Sequence, residues 1–424
     1  MKLSKEVLIT GFALFSMFFG AGNLILPPFL GKNAGDNWSL VTLGFFITAV
    51  FIPILGILAH AKLQGTMFDF GKKVSPIFST VYCFIVYAIS IALPAPRTAS
   101  VTYEIAIAPY FNISSLITSA VYFVLVFLFV INRAKVLSLL GKFLTPLIIL
   151  ILLTVIVIGM FTAPNAMNPT IFETPFSSGL LEGYQTFDAI GAVVVGGVLV
   201  ISMNFNANTS FEAKKELITK AGFIAGIGLL IIYAGLIYNG ALFSTIFNED
   251  ATRTTVLTKL STQTLGYIGT TFLSILVALA CFTTAVGIIT GTADYVKGIA
   301  KNSEKAYTIT AIIGCILGVL VGQFDVHYII NIALPALMFI YPITIVLIVL
   351  NVLPNKFTSA LVFKIVVGIT LLFSIPDFLQ FIVENPILTT LKNKIPLANQ
   401  KLGWILPALL SFVLANLFTT KKLA

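Results

Sequence analysis

Apolar residues in this chain fall into long runs separated by short polar connections that collect Lys, Asn, Pro and Asp. Twelve runs stand out, over residues 7–28, 38–60, 76–97, 114–132, 142–163, 179–203, 221–243, 266–290, 306–323, 328–350, 360–380 and 402–419. Crossing the hydrocarbon core of a bilayer as a helix takes about 20 apolar residues, so each run is predicted to be a transmembrane helix. The first, Val7 to Leu30, is too long and too glycine-rich for a signal peptide, and no small-residue cleavage site follows it. It reads as a retained span. The short connections leave a single membrane domain over residues 1–424 and no room for a soluble enzyme module.

Composition agrees with that pattern. Of 424 residues, 58% are hydrophobic and 10% charged, with a mean hydropathy of +1.04, whereas a soluble domain carries about 25% charged residues. The net charge of +9 sits in short Lys and Arg clusters between the runs. That placement follows membrane topology and does not imply nucleic acid. With the N-terminus inside, 18 of the 25 Lys and Arg residues, among them Lys72, Lys73, Arg133, Lys214 and Lys215, fall on the cytoplasmic side, and seven, including Arg97 and Arg253, fall outside. A multi-pass protein of the plasma membrane is expected, with both termini cytoplasmic. Its surroundings are then the lipid bilayer, with no obligatory protein partner evident. Cys83, Cys281 and Cys315 lie inside apolar runs without CxxC spacing and read as packing residues. His60 and His327 are far apart and make no transition-metal motif.

Two runs carry residues that a regular spanning helix does not favour. In the first, Gly20-Ala21-Gly22-Asn23 interrupts the apolar stretch ahead of Pro27-Pro28. Lipid offers no hydrogen bonds, so a helix opens only where the freed groups line a cavity or are buried in protein. Local unwinding there frees carbonyls for a cation and amides for an anion; small-residue packing against a neighbouring helix is the other reading. In the sixth, Gly183-Tyr184-Gln185-Thr186-Phe187-Asp188 places a carboxylate at or near the apolar stretch. A centrally placed carboxylate costs about 2.5–3.5 kcal/mol on insertion scales, so Asp188 has a role or partner, or else marks the headgroup end of the span. Interruptions in the first and sixth helices occupy matching positions of two inverted halves, the pattern that points to a transporter's binding site. In the eighth run, Thr283-Thr284 after Ala280 can turn hydroxyl oxygens to a hard cation, or simply bond back to the helix. Arg97 and Glu104 follow Pro94-Ala95-Pro96 at a spacing of seven; on a continued helix they share one face, as an outer gate or a polar loop pair.

The Gly20-to-Leu24 segment, the Gly183-to-Asp188 segment and Thr283-Thr284, together with the N-terminal run KLSKEVLITGFALFSMFFGAGNLILPP, resemble the branched-chain amino acid:cation symporters, also called branched-chain amino acid transport system II carriers. The resemblance covers essentially the whole chain. It implies a LeuT-like fold: all α-helical, a 5+5 inverted repeat (1–163 and 179–350) followed by two accessory helices (360–424), with helices 1 and 6 broken. It further implies uptake of leucine, isoleucine and valine driven by sodium or protons, with no cofactor beyond the co-transported cation. Carried onto this sequence, substrate carboxylate meets the amides of Gly20, Ala21, Gly22 and Asn23. The ammonium meets Tyr184 to Asp188, including Gln185, and Phe187 walls the side chain. The sodium site of that fold maps to the carbonyls of Ser16, Phe19 and Ala280 and the hydroxyls of Thr283 and Thr284. Sodium is the favoured ion; Asp188, if buried, offers a proton route instead. An ion channel is disfavoured by the lack of a repeated filter or charge ring, and a membrane enzyme by the lack of a nucleophile–base set or metal cluster in the runs.

Overall fold

The computed structural model describes residues 5–20, 23–132, 136–164, 166–194, 196, 211–381, 392 and 394–420. Ala21 and Gly22 of the expected site lie outside the described residues. Among those described, every regular element is helical. The first predicted span is two helices, α1 (Lys5–Phe18) and α2 (Leu26–Ala34), with the break between them. The second is α3 (Trp38–Phe46) and α4 (Ile52–Leu63), joined by one π-helical turn over Ile47–Phe51. The short α5 (Met67–Gly71) precedes the third span, which is α6 (Pro76–Ala92), α7 (Pro94–Thr102) and a second π turn, Tyr103–Ile107. Next come α8 (Ser115–Asn132), α9 (Val136–Thr162), α10 (Pro175–Tyr184), α11 (188–194) and α12 (Phe211–Leu242). The chain closes with α13 (Arg253–Ile299), α14 (Glu304–Gly322), α15 (Val326–Val352), α16 (Ala360–Leu379) and α17 (Ile405–Thr420).

Local sequence explains where several helices begin. Ser75, Ser303, Asp325 and Ser359 each accept a hydrogen bond from the backbone N–H three residues on, capping α6, α14, α15 and α16. Pro76 occupies the first turn of α6, where its missing N–H has no partner to lose. The apolar faces left outside the bundle form a belt: Ile77, Phe84, Phe161, Leu410 and Phe418 are all more than 60% exposed. In water such a belt would aggregate; against lipid it costs nothing.

Helices 1 and 6 exchange partners. α1 and α2 both pack on α12, while α10 packs on α3. Each crossing is close enough to require glycine. A Cβ on Gly31 would stand 1.9 Å from the Ile237 carbonyl oxygen, and one on Gly240 2.1 Å from that of Pro28. At the other crossing, Gly44 and Gly179 would meet the carbonyl oxygens of Phe176 and Val41, each at 2.1 Å. The first span thus lies on the seventh and the sixth on the second, the reciprocal arrangement that an inverted five-helix repeat requires. α13 packs against α9, α7 and α14, and α15 against α4 and α16.

Two sequence expectations need correction. Pro94-Ala95-Pro96 bends the third span without ending it: both prolines sit in the first turn of α7, which carries on through Thr102. Arg97, expected on the outer side as a gate or as one of a polar loop pair, is therefore buried within the bundle. The eighth span is preceded by a polar helical segment from Arg253, set off from the rest of α13 by Gly266 at φ 68°. Only glycine adopts that backbone without strain.

Candidate functional site

The two breaks meet at the centre of the molecule. α1 stops at Phe18, and the chain turns through hydrogen bonds from Gly20 N–H to Phe18 O (2.8 Å) and from Asn23 N–H to Gly20 O (2.9 Å). α10 stops at Tyr184, and turns from Gln185, Thr186 and Phe187 N–H back to Glu182, Gly183 and Tyr184 carbonyls carry the chain to Phe187. There φ is +60°, a left-handed conformation that costs a bulky residue about 1–2 kcal/mol. Strain of that kind persists where surrounding structure holds it, and it gathers at functional sites. Asp188 opens the next helix, its N–H donating to the Thr186 hydroxyl at 3.2 Å.

Asn23 joins the breaks. Its Nδ2 donates to Asp188 Oδ1 at 2.9 Å and to the Phe18 carbonyl at 3.3 Å. From the third span, Arg97 Nη1 donates to the Gln185 carbonyl at 2.7 Å and Nη2 to Asn23 Oδ1 at 3.4 Å. The guanidinium carbon stands 5.4 Å from the centre of the Phe187 ring. Arg97, Asn23 and Asp188 are each 5% exposed or less. A guanidinium and a carboxyl group are thus enclosed together with one amide between them, where water does little to screen their interaction. Asp188 Oδ2 has no partner in good hydrogen-bond geometry, nor do the buried hydroxyls of Tyr233 and Tyr341, although the Tyr233 hydroxyl stands within weak hydrogen-bonding reach of Asp188 and Tyr341 close enough to interact with it electrostatically. Tyr184 lies beneath, stacked on Tyr341 with ring centres 4.4 Å apart. Buried polar atoms are nearly always satisfied, so a cluster of orphans around a carboxylate marks a place built to receive a donor.

The other expected positions divide. Thr283 and Thr284 hydroxyls both donate to the Ala280 carbonyl at 2.9 Å, the bond back to the helix that is the other reading of this pair; it leaves the three oxygens close together on α13. Ser16 presents its hydroxyl to Thr145 at 2.7 Å. Phe19 is buried beside Phe15, ring centres 4.9 Å apart. Arg97 and Glu104 do not pair. Glu104 instead accepts from Thr254 Oγ1 (2.5 Å) and Val326 N–H (2.8 Å), and it helps line a cavity of about 490 Å³ with Arg253, Asp325 and His327. That cavity lies at the end of the bundle expected to face outward. Beside it, Arg253 forms an ion pair with Glu182 of α10 at 2.9 Å and stacks on Phe29 of α2, 4.5 Å from the ring centre. Arg253, Glu182, Tyr233 and Tyr341 carried no sequence signal of a role, because their neighbours come from distant segments.

The family model for branched-chain amino acid transport proteins matches residues 3–422. The chain belongs to that family. It is 32% identical over 429 residues to the branched-chain amino acid permease BraB of Bacillus subtilis, covering 98% of this chain and 96% of the relative. To the branched-chain amino acid transport system 2 carrier protein of Pseudomonas aeruginosa it is 32% identical over 418 residues, 97% and 95% of the two chains. Among solved structures it is similar to an inward-facing form of Mhp1, with a TM-score of 0.61, 11% identity and coverage of 98% and 91%. It is also similar to a manganese transporter of Eremococcus coleocola, with a TM-score of 0.59, 14% identity and coverage of 97% and 95%. These structures share the fold, and the family is one of transport proteins, so the chain is a multi-pass carrier and not an enzyme.

Proposed function

We propose that the protein takes up leucine, isoleucine and valine across the cell membrane together with a cation, sodium in preference to a proton, by alternating access. The observation that carries this reading is the meeting of the two helix breaks around Asn23, Asp188 and Arg97. A site of opposite charges inside an apolar bundle suits a zwitterion with an aliphatic side chain. The expected substrate site comprises Gly20 to Asn23, Tyr184, Gln185, Phe187 and Asp188. The expected sodium site comprises Ser16, Phe19, Ala280, Thr283 and Thr284; the two hydroxyls and the Ala280 carbonyl stand together on α13 and keep lone pairs for an ion. Binding both solutes stabilises the occluded state more than either alone, and that difference is the coupling. Asp188 Oδ2, buried without a partner, favours a second reading in which a proton on Asp188 takes the place of sodium.

The experiment is uptake of labelled leucine into proteoliposomes under a sodium gradient and a pH gradient imposed separately. Accumulation with sodium alone supports the first reading, and accumulation with a pH gradient alone supports the second. No uptake of any branched-chain amino acid under either gradient overturns both.

A further inference from the structure

Arg97 is the residue whose placement departs most from its sequence context, and its contacts leave its charge poorly answered. Both of its hydrogen bonds go to neutral acceptors, the Gln185 carbonyl and the Asn23 side chain, the latter at a long 3.4 Å. Burying one guanidinium is expensive unless an anion compensates it. The anion is Asp188, and the two do not touch: the Asn23 amide lies between them, accepting from Arg97 and donating to Asp188 Oδ1 at 2.9 Å. The other Asp188 oxygen has no donor in good hydrogen-bond geometry; the Tyr233 hydroxyl stands near it without closing the bond. Each group therefore has capacity to spare, on opposite sides of the Asn23 carboxamide. The described amides of the first break, Gly20 and Asn23, already donate to carbonyls of that break.

From this geometry we infer that Arg97 is the carboxylate anchor of the substrate site and Asp188 its ammonium anchor, the amino acid head group replacing the Asn23 amide between them. The inference rests on the proposed transport of amino acids and specifies how that site reads its ligand. An amino acid presents a carboxylate and an ammonium at the spacing Asn23 now bridges with neutral groups. Exchange replaces the long bond from Arg97 to the Asn23 amide with charge-assisted bonds to a carboxylate, shorter and roughly twice as strong. It also gives the unpartnered Asp188 oxygen a donor. The planar fork explains arginine here, since lysine offers a point charge without bidentate geometry. Recognition of this kind demands both charges of the ligand. A ligand with the carboxylate removed leaves Arg97 buried and unpaired.

The test is competition binding on the purified full-length protein, with labelled leucine displaced by leucine, leucinamide or 4-methylpentanoate. Unmodified protein should bind leucine about 100-fold tighter than leucinamide, the scale set by removing one partner of a buried charge pair. In Arg97→Gln, leucine should weaken about 100-fold, while leucinamide holds or gains affinity because the guanidinium it left unpaired is gone. Arg97→Lys should fall between. Equal weakening of leucine and leucinamide in Arg97→Gln, or leucine affinity left intact, overturns the assignment. Equal affinity of the unmodified protein for leucine and leucinamide overturns it without recourse to any variant. If the unmodified protein binds alanine and not leucine, but still rejects alaninamide, the branched-chain reading falls and the role of Arg97 stands. Binding of no α-amino acid overturns both.

Discussion

Replacing Gly44 or Gly179 by alanine probes the crossing on which the sixth span is held. Each new Cβ would sit 2.1 Å from a backbone carbonyl oxygen of the facing helix, about 1.3 Å short of the 3.4 Å at which ordinary contact begins. No side chain can swing aside, because the obstacle is backbone, so α3 and α10 must part. Overpacking of this kind costs about 1–3 kcal/mol, or about 5- to 150-fold in the ratio of folded to unfolded protein. Once the helices have moved apart for one methyl, the second finds room. The double variant should therefore cost less than the sum of the singles by about 0.5 kcal/mol or more. Gly368→Ala is the internal control: nothing lies within 4 Å of its Cβ, and alanine in an exposed helix gains about 0.5–1 kcal/mol over glycine. Unfolding in mixed micelles by SDS titration measures all four proteins. Gly44→Ala and Gly179→Ala variants as stable as Gly368→Ala, or costs that add in full, would refute the reasoning.

Three further outcomes follow from the site. Removing the outer ion pair with Glu182→Gln should speed amide exchange in Pro175–Tyr184 by a few-fold, since a partly exposed pair is worth about 0.2–1 kcal/mol; unchanged exchange would show that the pair does not hold α10. Replacing both Thr283 and Thr284 by valine should raise the sodium concentration for half-maximal transport by about 10- to 100-fold, and an unaltered sodium dependence in a folded variant would place the ion elsewhere. Phe187→Ala should weaken leucine by about 10- to 200-fold, the loss expected when an apolar pocket loses its fit, while phenylalanine becomes a better competitor; equal losses for both would remove Phe187 from the pocket.

Much of this architecture was legible because lipid imposes strong rules. Apolar runs gave the spans, and glycine, asparagine and aspartate inside them gave both breaks, since those residues weaken a helix that has no water to fall back on. What stayed hidden depended on contacts between distant segments. Pro94-Ala95-Pro96 left open whether the third span bends or ends there, since a proline in a first turn starts a helix as readily as it stops one, and that ambiguity left Arg97 between an outer gate and a loop. The segment from Arg253 to Gly266 spreads Val256, Leu257, Leu260 and Leu265 among polar residues, so no apolar run announced it. Glu104 sat at helical spacing from Arg97, but its partners, Thr254 and Val326, lie more than 140 residues away. The threonine pair was visible as a motif, whereas its shared bond to Ala280 emerged only from the helix geometry.

The central claim is that the two helix breaks enclose one site for branched-chain amino acids, and counterflow tests it most directly. Proteoliposomes loaded with unlabelled leucine and diluted into labelled leucine should accumulate label. Isoleucine and valine should suppress that accumulation, lysine and glutamate should not, and Asp188→Ala should abolish it. Accumulation that charged amino acids suppress equally, or that survives unchanged in Asp188→Ala, would contradict the account.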